Sequence, residues 1–130
     1  PHDKLFDYCY EPNNKIVDFC KEKKIPVICF PRGINKNYLD FAKIVKPDCL
    51  SLDFEIDPMW AKQKLSNYCL QGGLDPKILF KKEDEIFKEV DKYLHIFKGH
   101  PYIFNLGHGL LPETNPEVLK KVIERVNNFK

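Results

Sequence analysis

No stretch of these 130 residues approaches the ~20 consecutive apolar residues that a membrane-spanning helix needs. The start, Pro1-His2-Asp3-Lys4, lacks the apolar core of a secretory signal. It also lacks Met, which fits a chain that is processed, truncated or excised from something longer. The expectation is a cytoplasmic protein with no membrane partner. Clustered basic charge is missing too. The 21 basic and 19 acidic side chains leave a formal net charge of +2. The nearest approach to a basic run, Lys21, Lys23 and Lys24, is interrupted by Glu22. A nucleic-acid backbone calls for a concentrated basic face, so no nucleic-acid partner is expected. Those lysines read as a solvated helix end.

Motifs with a fixed chemistry are equally scarce. G-x-G-x-x-G, a Walker loop, H-E-x-x-H and G-x-S-x-G all fail to occur. That argues against dinucleotide, nucleotide, zinc-protease and α/β-hydrolase chemistry. The five cysteines (Cys9, Cys20, Cys29, Cys49 and Cys69) are odd in number and form no C-x-x-C pair. Lying inside apolar segments, they read as buried free thiols of a reducing compartment. Cys29, Cys49 and Cys69 recur every twenty residues. We read that as one small buried residue repeated in successive strands, and expect no metal.

What is present is a soluble composition, 43% hydrophobic and 31% charged, in a chain long enough to bury one core. Its periodicity alternates between helix and strand. Helical spacing covers Leu5, Phe6 and Cys9, then Ile16, Val17, Phe19 and Cys20, with Asn13 or Asn14 as cap of the second run. After Pro26, Val27-Ile28-Cys29-Phe30 reads as a short buried strand. Asn35 is expected to cap a helix with Leu39, Ala42, Ile44 and Val45 inward, stopped by Pro47. Cys49–Phe54 alternates as a second strand, and Asp57-Pro58 opens a helix with Met59, Trp60 and Leu65. Tyr68–Gln71 is a third strand, ended by Gly72-Gly73. Asp75-Pro76 starts a single turn, and a long helix presents Ile86, Phe87, Val90, Tyr93, Leu94 and Phe97 on one face. Tyr102–Leu106 is the fourth strand. Asn115-Pro116-Glu117 then supplies a cap, a proline at the first helical position and an early acidic residue for a closing helix.

Strands separated by helices pair in parallel through right-handed crossovers, and their apolar composition predicts a sheet covered on its faces. The architecture is α/β: either an open doubly wound sheet or part of a (β/α)8 barrel. A full barrel takes ~250 residues, so four strands do not close one.

Ligands of such sheets bind at the carboxyl ends of the strands. The four ends are Phe30–Gly33, Asp53-Phe54, Gln71–Gly73 and Asn105–Gly109. His108, set between Gly107 and Gly109, can approach a ligand closely and carry charge near neutral pH. The alternative is an imidazole bonded to a loop carbonyl. Arg32 can clamp a carboxylate bidentately or pair with a neighbouring Asp or Glu. Asp53 can take a proton, although structural pairing with Lys or Arg is the favoured reading. His95 suits a helix C-terminus, His100 precedes a proline in a turn, and His2 is terminal; none suggests a metal ligand.

At these ends the sequence resembles one family. Tyr102-Ile103-Phe104-Asn105-Leu106-Gly107-His108-Gly109, followed by Pro112 and Pro116, resembles the C-terminal signature of uroporphyrinogen decarboxylases. Leu70-Gln71-Gly72-Gly73-Leu74-Asp75-Pro76 is similar to the family's L-Q-G-N-L-D-P segment. Ile25–Ile28 with Phe30–Gly33, and Leu52-Asp53-Phe54, resemble two further family strands. The similarity runs from about Leu5 to Phe129. Gly73 departs from the usual Asn, Phe54 from the usual Trp and Ser51 from a common glycine.

The resemblance implies that residues 1–130 form a single unit, strands five to eight of a (β/α)8 TIM barrel, with the N-terminal half absent. It implies an enzyme, usually a homodimer, that works without metal or organic cofactor. That enzyme converts the four acetates of its substrate uroporphyrinogen to methyls, giving coproporphyrinogen and carbon dioxide in haem biosynthesis. His108 would contact substrate, with Arg32 a weaker candidate. The family's catalytic arginines, aspartate, tyrosine and serine would lie upstream, leaving no catalytic residue here and an inactive isolated chain. A related branch, zinc-dependent corrinoid methyltransferases, needs a His-x-Cys pair near Phe30–Gly33 and a Cys at the last strand. Cys29 lacks that histidine, and the last strand ends in His108. A non-catalytic reading also stands. Strands Val27–Phe30 and Tyr102–Leu106 would be unpaired edges, through which the chain would associate with a missing half or with itself.

Overall fold

A computed structural model describes residues 4–130, so His2 lies outside the described residues. A helical stretch, π-type over Phe6–Tyr10, runs without a break into α1, Glu11–Glu22. Neither Asn13 nor Asn14 is a cap. Inside a continuous helix their amides are free to reach elsewhere, and they donate to the carbonyls of Cys9 (2.8 Å) and Ile44 (3.2 Å). Strand β1 is Ile28–Cys29, α2 Tyr38–Val45, β2 Cys49–Leu52 and α3 Pro58–Lys64. They are followed by β3, Cys69–Gly72, and α4, Glu83–Phe97, then by β4, Tyr102–Ile103, and α5, Pro116–Asn127. Short 3-10 turns occupy Asn35–Asn37 and Pro76–Phe80.

Three of these elements start on the same local device. Asp57, Asp75 and Asn115 hold extended backbone and precede a proline. Their side chains accept from the amides of Trp60 (2.7 Å), Lys77 (2.9 Å) and Glu117 (3.0 Å). Such a cap is worth about 1 kcal/mol, and the proline sacrifices no hydrogen bond there. Asn35 does not cap α2. It sits at φ 51° inside the 3-10 turn, and no side chain caps α2. The buried face of α2 is Tyr38, Phe41, Ala42 and Val45, while Leu39 and Ile44 are half-buried. The helix stops at Lys46, in the left-handed conformation just before Pro47.

The four strands form one parallel sheet in the order β1-β2-β3-β4, extended by a bridge between Leu74 and Leu106. Register partners share a face, so Cys29, Leu50, Leu70 and Tyr102 point one way and Ile28, Cys49 and Cys69 the other. The first face meets the helices. Leu50, Leu52 and Leu70 are fully buried there with Val17, Phe41, Leu65 and Val90. Each such side chain contributes about 1.5–3 kcal/mol of transfer free energy. Ring contacts tie the layer together: Tyr10 meets Phe41 edge-on, and Phe97 stacks on Tyr102 at 4.0 Å.

The second face corrects the expectation of a sheet covered on both sides. Phe30 continues the alternation of β1, and Ile28, Phe30 and Ile103 are 48%, 42% and 44% exposed. Strand β1 is therefore buried only through Cys29. The cysteines divide in the same way. Cys49 and Cys69 are register partners, whereas Cys29 is one position out and faces the helices. All five are free thiols, but Cys9, Cys20 and Cys69 are only half-buried. Burial, together with the neighbouring Cys69 thiol, pushes Cys49 up to about 12.

Candidate functional site

All four strands point the same way, so their carboxyl ends make one rim, with Arg32 at one side and His108 at the other. Neighbouring strands lie ~4.8 Å apart, which sets the β1 and β4 ends roughly 14 Å from each other. The two candidates share a rim but do not touch.

Asp53 is buried beneath this rim, 4% exposed, and its partners are main-chain amides. One carboxylate oxygen accepts from Gly33 N (3.1 Å) and the other from Glu55 N (3.4 Å). The favoured pairing with Lys or Arg is thus replaced by a clamp that holds the β1 loop on the end of β2. Below it, Tyr38 is completely buried. Its hydroxyl donates to Ser51 O (3.1 Å) and accepts from Asp53 N (2.9 Å). Burial raises its ionisation well above the ordinary tyrosine value. This network escapes sequence reading, because nothing in the spacing of Tyr38 singles it out as the shared partner of two strand-end groups.

Arg32 is exposed in the loop after β1. Among the described residues its guanidinium has no carboxylate partner, so the alternative of an Asp or Glu neighbour is not realised. On the helix-free face, Gln71 Nε2 donates to Ser51 Oγ at 3.3 Å. That makes the inner surface of the sheet polar near the rim and apolar at its edges.

His108 is half-buried, and its Nδ1 lies 3.3 Å from Gly109 O, a loop carbonyl as the alternative reading had it. Its position comes from Gly107. A side chain there would put Cβ 2.4 Å from Phe54 N and 2.8 Å from Phe54 Cα, so only glycine lets the β4 loop close onto the end of β2. The Gly107 amide donates to Leu74 O at 2.8 Å, beside the Leu74–Leu106 bridge. Gly73 has φ +99°, a region that a β-carbon strains, and Tyr93 donates to its carbonyl at 2.7 Å.

His95 bonds to Asp91 O one turn back, and His100 to Tyr68 O, so both are occupied locally. No group of three or more His, Cys, Asp or Glu side chains converges among the described residues. No described helix is long and apolar enough to cross a membrane. A groove of about 350 Å³ is lined by Leu79, Phe104, Asn105, Leu106, Leu119 and Val122, among others. It runs between β4 and α5 at the sheet edge and reaches the rim at Asn105 and Leu106.

A parallel βα repeat with a glycine-shaped rim at its strand ends is the architecture of part of a (β/α)8 barrel. The family model described as uroporphyrinogen decarboxylase (URO-D) matches residues 2–129, and the chain belongs to that family. A uroporphyrinogen decarboxylase of Cereibacter sphaeroides is 35% identical over 124 residues, which cover 92% of this chain and 36% of the relative. One of Paracoccus denitrificans is 36% identical over 123 residues, covering 92% and 36%. One of a Wolbachia is 34% identical over 125 residues, covering 95% and 37%. The chain thus spans little more than a third of the length of these relatives.

Proposed function

We propose that this chain forms strands five to eight of a uroporphyrinogen-decarboxylating barrel and supplies the His108 side of its substrate cleft. The observation that carries this reading is the strand-end rim, on which Gly107 closes against the end of β2 and so sets His108 at the strand end. Removing carbon dioxide from a pyrrole acetate requires protonating the ring and balancing its positive charge, then protonating the methylene to give the methyl as the ring gives its own proton back. A carboxylate with access to the ring is needed for that charge. Asp53 does not fill the role, since both its oxygens are engaged by main-chain amides. The acid–base groups therefore come from the remainder of the barrel. Arg32 and His108 serve the substrate's carboxylates, and the isolated chain is inactive. The completed enzyme is a soluble homodimer.

The test is coproporphyrin formation, followed by fluorescence, with this chain alone and with the separately produced remainder of the Paracoccus relative. Activity only on mixing is the expected result. In the mixture, His108→Ala weakens substrate binding about 10- to 100-fold, the worth of one charge-assisted hydrogen bond. Turnover by the chain alone would overturn the assignment of roles. A folded chain that neither binds porphyrinogen nor complements would favour the non-catalytic reading, which the exposed Ile28, Phe30 and Ile103 support.

A further inference from the structure

Cys49 and Cys69 are the first residues of β2 and β3 and are register partners, so their side chains leave one face of the sheet side by side. Their strands are the two inner ones of the order β1-β2-β3-β4. The pair is therefore made wholly within the chain and does not depend on what adjoins β1 or β4. The two thiols are close enough to hydrogen-bond to each other. The next rung on the same face is Ser51 with Gln71, joined at 3.3 Å.

The other cysteines stand apart from this pair. Cys29 points to the helix side, the face opposite Cys49. Cys9 and Cys20 lie eleven residues apart in one continuous helical stretch, roughly 16 Å at ~1.5 Å per residue, too far to bridge each other. Among the described residues no third His, Cys, Asp or Glu converges on Cys49 and Cys69, so they do not make a four-coordinate metal site.

Neighbouring strands lie ~4.8 Å apart, inside the range of about 4.4–6.8 Å that the Cα atoms of a disulfide span. The β-carbons of a disulfide sit about 3.8 Å apart, so β2 and β3 must lean together by roughly 1 Å to close one. A bridge that pulls two strands together is easily reopened, which is the behaviour of a regulatory disulfide rather than a permanent one. The lean is imposed one rung below Ser51 and Gln71, and so bears on the polar patch under the rim.

We propose that Cys49 and Cys69 form a reversible disulfide, closed by a small-molecule disulfide of the glutathione type and reopened by small thiols. Burial pushes the Cys49 thiol up to about 12, so Cys49 keeps its proton and Cys69 attacks first. The Cys69 thiolate bonds to one sulfur of the oxidant and releases the other half, which takes up a proton. Cys49 then gives up its proton, attacks Cys69 Sγ and expels the second half as thiol. Two protein S–H bonds and one small disulfide become one protein disulfide and two small thiols. Excess small thiol runs the same steps backwards. This inference is independent of the decarboxylase reading and needs no activity measurement.

The folded chain, treated with excess oxidised glutathione, is alkylated, digested with trypsin and read by mass spectrometry. Of its five free cysteines, three should still alkylate, and the intact mass should fall by two hydrogens. One bridged peptide pair should join Cys49 to Cys69, since Lys62 and Lys64 lie between them. Dithiothreitol should restore all five thiols. In urea the register is lost, and bridges should spread over the five cysteines. Cys49→Ala should stop the reaction at a glutathione adduct on Cys69. A bridge through Cys9, Cys20 or Cys29 in the folded chain, or a Cys69 adduct that never closes there, overturns the proposal. So does equal Cys49–Cys69 selectivity in urea, or a bridge that excess dithiothreitol leaves intact.

Discussion

Gly107→Ala isolates the contact that positions His108. The added Cβ lies 2.4 Å from Phe54 N and 2.8 Å from Phe54 Cα, both main-chain atoms. Ordinary carbon contacts sit at ~3.5 Å or more, so the loop or the end of β2 must withdraw by about 1 Å. Withdrawal strains the 2.8 Å bond from Gly107 N to Leu74 O and the adjacent Leu74–Leu106 bridge. Overpacking of this kind costs about 1–3 kcal/mol, and a weakened hydrogen bond adds about 1 more. Against a net stability of ~5–15 kcal/mol the loss is large. Gly109→Ala is the matched control two residues on. Nothing lies within 4 Å of its Cβ, and its φ is not in the left-handed region. Reduced freedom of the unfolded chain then makes that change neutral or stabilising by up to ~1 kcal/mol. Urea unfolding followed by circular dichroism reads both midpoints. Equal effects of the two alanines, or a stable Gly107→Ala chain, would refute the close-approach argument.

Tyr38→Phe leaves Asp53 N and Ser51 O without a partner in a fully buried place, and should cost about 1–3 kcal/mol in the same assay. A change indistinguishable from zero would mean that water replaces the hydroxyl. Burial of Tyr93, aided by nearby acidic groups, raises its ionisation to about 12. A raised folded value means that its stabilising contribution is complete below the unfolded value of ~10 and is lost as pH rises towards 12. Tyrosinate absorbance should therefore show a late cooperative step coinciding with alkaline unfolding; smooth titration of all six tyrosines near their ordinary value would contradict it. Arg125, donating to Asp91 at 2.8 and 2.5 Å, holds that carboxyl below its usual range. The stabilisation is present above the unfolded value and fades as pH falls through the folded one. Arg125→Ala should raise the Asp91 titration seen by NMR; an unmoved titration would discount the pair.

Elements announced by a self-contained local signal were legible in the sequence. Asp57-Pro58, Asp75-Pro76 and Asn115-Pro116 each cap the element that follows, because an Asx side chain before proline meets an extended backbone and a free amide within three residues. Asn13, Asn14 and Asn35 carry the same residue type without that backbone, so their capping is not realised. Face assignment was harder. Hydrophobicity alone does not distinguish an isoleucine aimed at the helices from one aimed into the helix-free side, and the strand carrying Ile28 was read as buried. The twenty-residue cysteine spacing does mark successive strands, but β1 pairs with β2 one position out of that count, so Cys29 faces the helices while Cys49 and Cys69 face the other way. At the rim, His108 and Arg32 stood out by residue type and loop position. The Tyr38–Asp53 network did not, because it depends on side chains from separate elements meeting at a strand end.

Two of the three departures from the family pattern fall where main-chain geometry, not side-chain chemistry, sets the requirement. Gly73 replaces a common Asn at φ +99°, and glycine and asparagine are the residues that most readily visit positive φ. Phe54 replaces a common Trp, yet what Gly107 touches there is chiefly backbone, which either residue provides. The rim is thus shaped by amides and carbonyls: Gly33 and Glu55 amides on Asp53, Gly107 on Leu74, and Tyr93 on Gly73. A rim held in that way does not depend on the imidazole it presents. Among the described residues His108 makes one long hydrogen bond, to the carbonyl of its own neighbour. Replacing His108 should therefore leave the unfolding midpoint within about 0.5 kcal/mol of the parent. Any loss of ligand affinity can then be assigned to the missing ring, whereas a large fall in stability would show that the ring itself holds the loop.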